Sequence, residues 1–311
     1  SGVNLDYVFD CMNKIQQSNP EALVIIKSTI PQSALKNIIA TYKDMHIGFS
    51  PEFLVQGNAY ANVKDTSRRY LALNGHHKHL PYIKELLCFE LIDINVACHI
   101  KTLANNLLAT RLQLINTYAL TIWRDTVLEG LPHLRLSPHE AHAIICQMLN
   151  KVGADQRIGT DYLDASIGYG GSCLNKDLLN SANALWCSDY MLDLYGANDK
   201  TIHAWYNNVA FYIREYNKDK EQPNESYQAV NKIDTIYLVG SGFSAITKDT
   251  RNSPTSKFKD LLADHFTVYI VDDLPLFIRP NELVINCRGV RKLPCGPRFI
   301  NLVFQAEGDY E

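Results

Sequence analysis

The sequence predicts an α/β fold in three parts, on three observations. Short apolar runs alternate with helix-period segments up to about residue 92. A single helical stretch without Gly or Pro runs from about residue 95 to 129. After a polar linker, a strand, a glycine turn, a helix and a second strand ending in Asp272-Asp273 complete a β-α-β unit. Strands that alternate with helices pack as a mainly parallel sheet.

The elements follow in order from periodicity and breakers. Residues 5–15 space their apolar side chains as a helix, and Asn19-Pro20 stops it. Residues 22–27 form a short, fully apolar strand of the kind buried in a parallel sheet. Ile30-Pro31 leads into a helix over residues 33–42, and residues 46–50 form the next strand. Thr29 and the Ser50-Pro51-Glu52 corner fall at the carboxyl ends of these strands, where parallel sheets bind their ligands.

In the long helix, Ile100, Leu103, Leu107, Leu108, Leu112, Ile115 and Ala119 recur at three and four. About thirty residues at 1.5 Å each span about 45 Å, enough to join two domains and offer a face for dimerisation. Shorter helices are predicted over residues 138–149, capped by Ser137, over 172–186 and over 200–216. Residues 218–231 are polar, carry Pro223 and read as a linker. The domains are therefore placed at 1–92, the later half of a Rossmann-like domain, 93–218, helical, and 233–311, a shortened Rossmann-like domain.

At 311 residues, 46% apolar and 20% charged, the chain has the composition of a globular protein about two domains long. Thirty Lys and Arg stand against 33 Asp and Glu, a net charge of −3, which argues against a nucleic-acid or anionic-lipid surface. No apolar run approaches the ~20 residues that cross a bilayer. The Ser1-Gly2 start is not a signal peptide and reads as a tag scar or an excised piece. The eight cysteines include no Cys-x-x-Cys pair, so they are expected as reduced thiols in a soluble, cytoplasmic protein. His76-His77 and the His139/His142 pair have no acid or cysteine at a ligand spacing, so no metal site is expected.

The most informative run is 168–177, Gly-Tyr-Gly-Gly-Ser-Cys-Leu-Asn-Lys-Asp. Three glycines let the backbone approach a ligand closely, and Ser172 can cap the helix that starts there. Cys173 then sits in the first helical turn, where the helix dipole favours a thiolate. Lys176 adds positive charge and Asp177 opposes it. A small buried cysteine is the plain alternative; glycines, cap and charges together favour a nucleophile. Lys101 and Asn105, four apart, share one face of the long helix, where an ammonium and an amide can hold an oxyanion. Glu52 is a general base or a surface acid, and Arg157 binds phosphate or pairs with Asp155. The second glycine turn, Gly240-Ser241-Gly242, is followed by polar residues 246–251 and not at once by a helix, which weakens it as a diphosphate cradle.

These runs resemble the UDP-glucose/GDP-mannose dehydrogenase family, most closely the UDP-glucose 6-dehydrogenases. The matching segments are 26–31 (IKSTIP), 50–54 (SPEFL), 101–111 (KTLANNLLATR), 155–159 (DQRIG), 168–177 and 250–254 (TRNSP), in family order. The resemblance implies NAD-dependent oxidation of a nucleotide sugar, UDP-glucose or a close analogue, from primary alcohol to carboxylate. Carried over by motif, Cys173 forms the thiohemiacetal and thioester, and Lys101 and Asn105 hold the oxyanion. Asp177 positions Lys101 and water, Glu52 is the base for hydrolysis, and Thr29 contacts that water. It further implies NAD contacts at Thr29, Lys176 and Arg251, and UDP-sugar contacts at Phe53, Leu54, Arg157, Tyr162, Tyr169, Gly170, Phe243 and Arg288. A homodimer through the central part is implied as well.

Three departures stand out: Ser244 replaces a family lysine, Gln56 a family acid, and Asp164 falls where a substrate-side lysine often sits. The family's opening glycine turn for NAD does not occur before Ala22. The alternative reading is therefore a non-catalytic relative that binds a nucleotide sugar or serves as a scaffold. A cysteine thioesterase using Cys173 and Glu52 without NAD is a third.

Overall fold

The structure, a computed structural model, describes residues 4–54, 58–75, 80–81, 89–131, 133–184, 188–218, 232–242, 249–275, 277–287, 293–294 and 296–305. It divides into two compact units, Ser1–Leu107 with Lys176–Leu192, and Leu108–Asn175 with Asp193–Glu311. Among the described residues no helix is long and apolar enough to cross a membrane.

The first unit alternates α1 (Asp6–Ser18), β1 (Leu23–Ile26), α2 (Gln32–Thr41), β2 (His46–Phe49), α3 (Ala59–Lys64), β3 (Tyr70–Leu73) and β4 (Glu90–Leu91). These strands form one sheet in the order β1-β2-β3-β4. β1 and β2 pair in parallel, Ile26 opposite Phe49, and β3 and β4 are parallel too. β3, however, runs antiparallel to β2, where helix–strand alternation predicts a parallel neighbour. The six-residue α3 is the helix between them; at 1.5 Å per residue it covers about 9 Å, too little to return the chain along a strand's length. Leu35, Ile38, Ile47, Phe49 and Leu71 are buried, and Met12 of α1 completes the packing.

The long helix is α4, Ala97–Trp123, continued by a π-helical turn, Arg124–Leu128. α5 (Pro138–Gly153) starts at a capping box: Ser137 Oγ accepts from the Glu140 N–H, and the Glu140 carboxylate accepts from the Ser137 N–H. α6 covers Cys173–Ala184. α7 covers Ser188–Lys218, twelve residues more at its start than the pattern predicts. The added segment contains Gly196 and several Asp and Asn residues, all poor helix formers. In the protein they continue a helix whose Leu194, Asn198 and Trp205 are buried, and that packing outweighs the propensity cost of about 1 kcal/mol for glycine.

The second sheet holds β5 (Thr235–Val239), β6 (Thr267–Val271), β7 (Glu282–Asn286) and β8 (Phe299–Asn301), with α8 (Pro254–Ala263) between β5 and β6. Its order is β6-β5-β7-β8, and every pairing is parallel. β7 is buried along its whole length, as a central strand covered on both faces should be. The core of this unit centres on Trp123 and Trp205, packed edge to face at 5.5 Å, with Phe304 stacked on Trp205.

Candidate active site

In the first unit the ends of β1 and β2 lie side by side, because the Ser50 N–H donates to the Ile26 carbonyl at 3.0 Å. Thr29 follows β1 and Glu52 follows β2, so the parallel pairing places both at the carboxyl end of these strands. The Glu52 main-chain carbonyl accepts a hydrogen bond from Lys101 Nζ, which fastens the ammonium of α4 to this corner. The Glu52 carboxylate lies 3.7 Å from Lys27 Nζ. Phe53, half-buried, has Arg68 4.2 Å from its ring centre and Lys101 5.7 Å away, while Leu54 is 45% exposed.

One helical turn beyond Lys101, Asn105 Nδ2 donates to Asp177 Oδ2 at 2.5 Å. Asp177 is wholly buried and pairs through Oδ1 with Lys176 Nζ at 3.0 Å. A buried carboxylate of this kind needs both partners, since neither water nor apolar packing can replace them. Lys101, Asn105, Asp177, Glu52 and Thr29 thus belong to the same unit, with one ammonium and one amide on a single helical face.

In the second unit Cys173 is exposed and opens α6. The loop that leads to it is held at several points. Ala165 pairs with Phe304 through two backbone hydrogen bonds of 2.8 Å. The Ser166 N–H donates to Asn116 Oδ1 at 2.7 Å, and Ser166 Oγ donates to the Gly168 carbonyl. The Tyr169 N–H donates to Asn198 Oδ1 at 2.9 Å, and Asn198 Nδ2 donates back to the Tyr169 carbonyl at 2.8 Å. Gly170 is buried. Gly171, at φ 81°, adopts a conformation that glycine alone takes readily. Its N–H donates to the Arg251 carbonyl and its own carbonyl accepts from Asn252 Nδ2.

Arg251 therefore meets the cysteine loop through its backbone. Its guanidinium is held by Asp249 through Nε and Nη2, which raises its pKa; Cys173 adds to that effect. Arg157 forms the same local motif with Asp155, which accepts from both its backbone N–H and its side chain. Tyr162 is 46% exposed and takes φ 56°, a left-handed conformation unusual for a bulky residue. Tyr169 is 3% exposed, and burial pushes its phenol pKa upward. Phe243 and Arg288, like Gln56 and Ser244, lie outside the described residues. In the second glycine turn the Ser241 N–H and Oγ both donate to Asp272 Oδ1. The acid closing β6 is thus engaged with the turn itself.

A dinucleotide needs a strand, a glycine turn and a helix N-terminus to cradle its diphosphate. After β1 the described turn carries no glycine and enters α2 through Pro31, whose nitrogen has no proton to donate. The residues of that turn therefore do not make a diphosphate cradle. Among the described residues no group of three or more His, Cys, Asp or Glu could hold a metal ion.

Asn116, Asn198 and Asn252 escape a reading by motif. Asn116 and Asn198 are buried amides, each with a second buried polar side chain three residues away on its helix, Gln113 and Thr201.

Residues 139–200 match the central domain of the UDP-glucose/GDP-mannose dehydrogenase family. A UDP-glucose 6-dehydrogenase of Rickettsia felis is 30% identical over 281 residues, covering 83% of this chain and 55% of the relative. One from Rickettsia bellii is 28% identical, covering 85% of this chain and 58% of the relative. The chain spans about half the length of the curated relatives it matches. Among solved structures, a UDP-D-ManNAc dehydrogenase of Pyrococcus horikoshii superposes with a TM-score of 0.70 over 96% of this chain and 77% of that one, at 18% identity. A UDP-glucose dehydrogenase of Pyrobaculum islandicum gives 0.65 over 97% and 76%, at 17% identity. At such identities the superpositions speak for the fold, Rossmann-type α/β. The chain is a relative of the UDP-glucose/GDP-mannose dehydrogenase family, and residues 139–200 are its counterpart of that family's central domain.

Proposed function

We propose that the protein oxidises the primary alcohol of a UDP-sugar, UDP-glucose or a close analogue, to the carboxylate, with Cys173 as nucleophile and NAD as hydride acceptor. The observation that carries this reading is the hydrogen bond from Asn105 to the buried Asp177, four residues after Cys173 on α6. It ties the amide of the candidate oxyanion pair to the helix that the nucleophile opens. Lys101, one turn away, is fastened to the Glu52 corner.

The chemistry follows from these groups. Oxidation of the alcohol leaves an aldehyde, and the Cys173 thiolate adds to its carbon, forming a C–S bond and an alkoxide. Lys101 and Asn105 stabilise that alkoxide, the role of a preorganised oxyanion site. Loss of a second hydride from the same carbon gives a thioester. Glu52 takes a proton from water, the hydroxide attacks the thioester carbonyl, and the C–S bond breaks to regenerate the thiolate and release the carboxylate. The hydride-accepting chemistry for both oxidations would be supplied by NAD when bound, with Thr29, Lys176 and Arg251 the residues that the family motif would place against it. Because the aldehyde is held covalently, it does not escape between the two oxidations.

The same reading makes the protein a homodimer. Ile100, Leu103, Leu107, Leu114 and Tyr118 are all exposed on α4, and they form one apolar stripe at three-, four- and seven-residue spacing of the kind a second copy covers.

The test supplies the full-length protein with UDP-glucose, its N-acetylated analogues and NAD, and follows nicotinamide absorbance. Two NADH per uronate, lost in Cys173→Ser, is the expected result. No Cys173-dependent signal with any of these sugars overturns the reading and favours the scaffold alternative.

A further inference from the structure

We infer that Asn198 is a positioning residue for the nucleophile: through a two-way hydrogen bond to the main chain of Tyr169 it fixes the glycine loop that delivers Cys173. This rests on the reading of Cys173 as the nucleophile.

Asn198 is 3% exposed on α7. Its carboxamide meets both main-chain groups of one residue, accepting from the Tyr169 N–H at 2.9 Å and donating to the Tyr169 carbonyl at 2.8 Å. A neighbouring β-strand makes the same pair of contacts. Here a side chain makes them to a segment that has no strand partner at that residue. The fit leaves no slack, since a Cβ on Gly168 would stand 2.9 Å from Asn198 Oδ1 and 3.0 Å from Ile202 Cγ1. Glycine at 168 is therefore what lets the loop approach the amide.

Two residues on, Gly171 is held by the Arg251 carbonyl and by Asn252. Residues 169–171 are thus gripped from both sides, by α7 at one end and by the turn before α8 at the other, and Cys173 follows after Ser172. Gly170 and Gly171 have no side chains to pack, so their conformation depends on these external bonds. Asn198 touches no reacting atom; it acts by holding the loop. The alternative, a buried amide that merely solves its own burial, is met by any partner. It does not require both bonds to fall on one residue four positions before the nucleophile.

The experiment compares Asn198→Ala, Asn198→Asp and Gly168→Ala with the unaltered full-length protein by hydrogen exchange of the peptide spanning 165–173, by kcat and KM for the UDP-sugar, and by iodoacetamide labelling of Cys173 relative to Cys11. Asn198→Ala and Gly168→Ala should both speed exchange in that peptide while α7 stays protected. kcat should fall roughly ten- to a hundredfold, more than KM changes, because a misplaced group of about 1 Å costs that much. Asn198→Asp adds a readout that packing alone does not move. An ionised carboxylate accepts from the Tyr169 N–H but cannot donate to its carbonyl, whereas the protonated acid does both. Protection and kcat in this variant should therefore recover as pH falls. Unchanged exchange in the 165–173 peptide, or exchange that rises equally throughout α7, overturns the proposal. Exchange and labelling need no substrate, so the role of Asn198 is decided even if no sugar is oxidised.

Discussion

Asn105 on α4 and Asp177 on α6, 72 positions apart in sequence, meet through a part-buried hydrogen bond of 2.5 Å, with Asp177 itself fully enclosed. Lys176 supplies the opposite charge from the residue next to Asp177. The carboxylate is thus the hub that gives Asn105 a fixed direction.

Asp177→Ala removes the hub and leaves Asn105 facing a cavity. Breaking a buried ion pair costs about 3–5 kcal/mol, and Lys176 is 39% exposed and can turn to water, so about 3 kcal/mol is expected. Urea unfolding measures it. Asp177→Asn keeps the volume and should fold with a smaller loss, yet turn over far more slowly because the pairing with Lys176 is gone. Equal turnover in the asparagine variant would mean that the charge plays no part.

Lys101 carries a different balance. Its Nζ reaches the Glu52 carbonyl from a half-buried position on α4, and Lys101→Met retains the apolar stem. Thermal stability should change little, while kcat should fall about 10²–10³-fold, the usual effect of losing an oxyanion donor. Lys101→Arg should not restore it, because a planar fork does not take the place of a compact ammonium. Melting curves and steady-state rates on the same preparations separate the two effects.

Local pattern carried the architecture where one face of an element is buried. The period of α4, the apolar run of β1 and the Ser137 start of α5 are legible because a few neighbouring residues decide each of them. Two features resist that approach. The reversed direction of β3 depends on how short α3 is, and the first half of α7 depends on packing of Leu194 and Asn198 that outweighs Gly196. The site divides in the same way. Lys101 and Asn105 are marked by their four-residue spacing within one helix. The bond from Asn105 to Asp177 and that from Asn198 to Tyr169 join distant segments, and no local spacing encodes them.

Trp205 shows how a core contact divides between size and polarity. It is fully buried, sits edge to face with Trp123 and stacks on Phe304. Its Nε1 is buried without a hydrogen-bond partner. Trp205→Ala should cost about 3–5 kcal/mol through lost burial and the cavity left behind. Trp205→Phe removes an unsatisfied donor along with part of the ring, so its cost should fall under about 1.5 kcal/mol. Denaturant midpoints at unchanged slope test the pair, and similar losses in both variants would contradict the assignment.

His142 sets a pH dependence whose sign follows from its burial. The imidazole is 5% exposed on α5, stacked against Phe304. Nε2 lies 2.8 Å from the Val303 carbonyl and 2.9 Å from Asn301 Nδ2. Burial lowers its pKa below the ordinary 6.5, and the nearby His139 adds to that, against the Val303 hydrogen bond. The unfolded chain therefore binds the proton at a higher pH than the folded one does. Above about pH 6.5 neither state is protonated and the histidine costs nothing. As pH falls below that value the unfolded state gains the proton first, and stability declines until the folded imidazole titrates as well. Melting temperature should thus drop between about pH 7 and about pH 5 more steeply in the unaltered protein than in His142→Gln, which keeps a donor for Val303 and has no proton to gain. Parallel slopes in the two proteins would show that this imidazole is not held neutral by the fold.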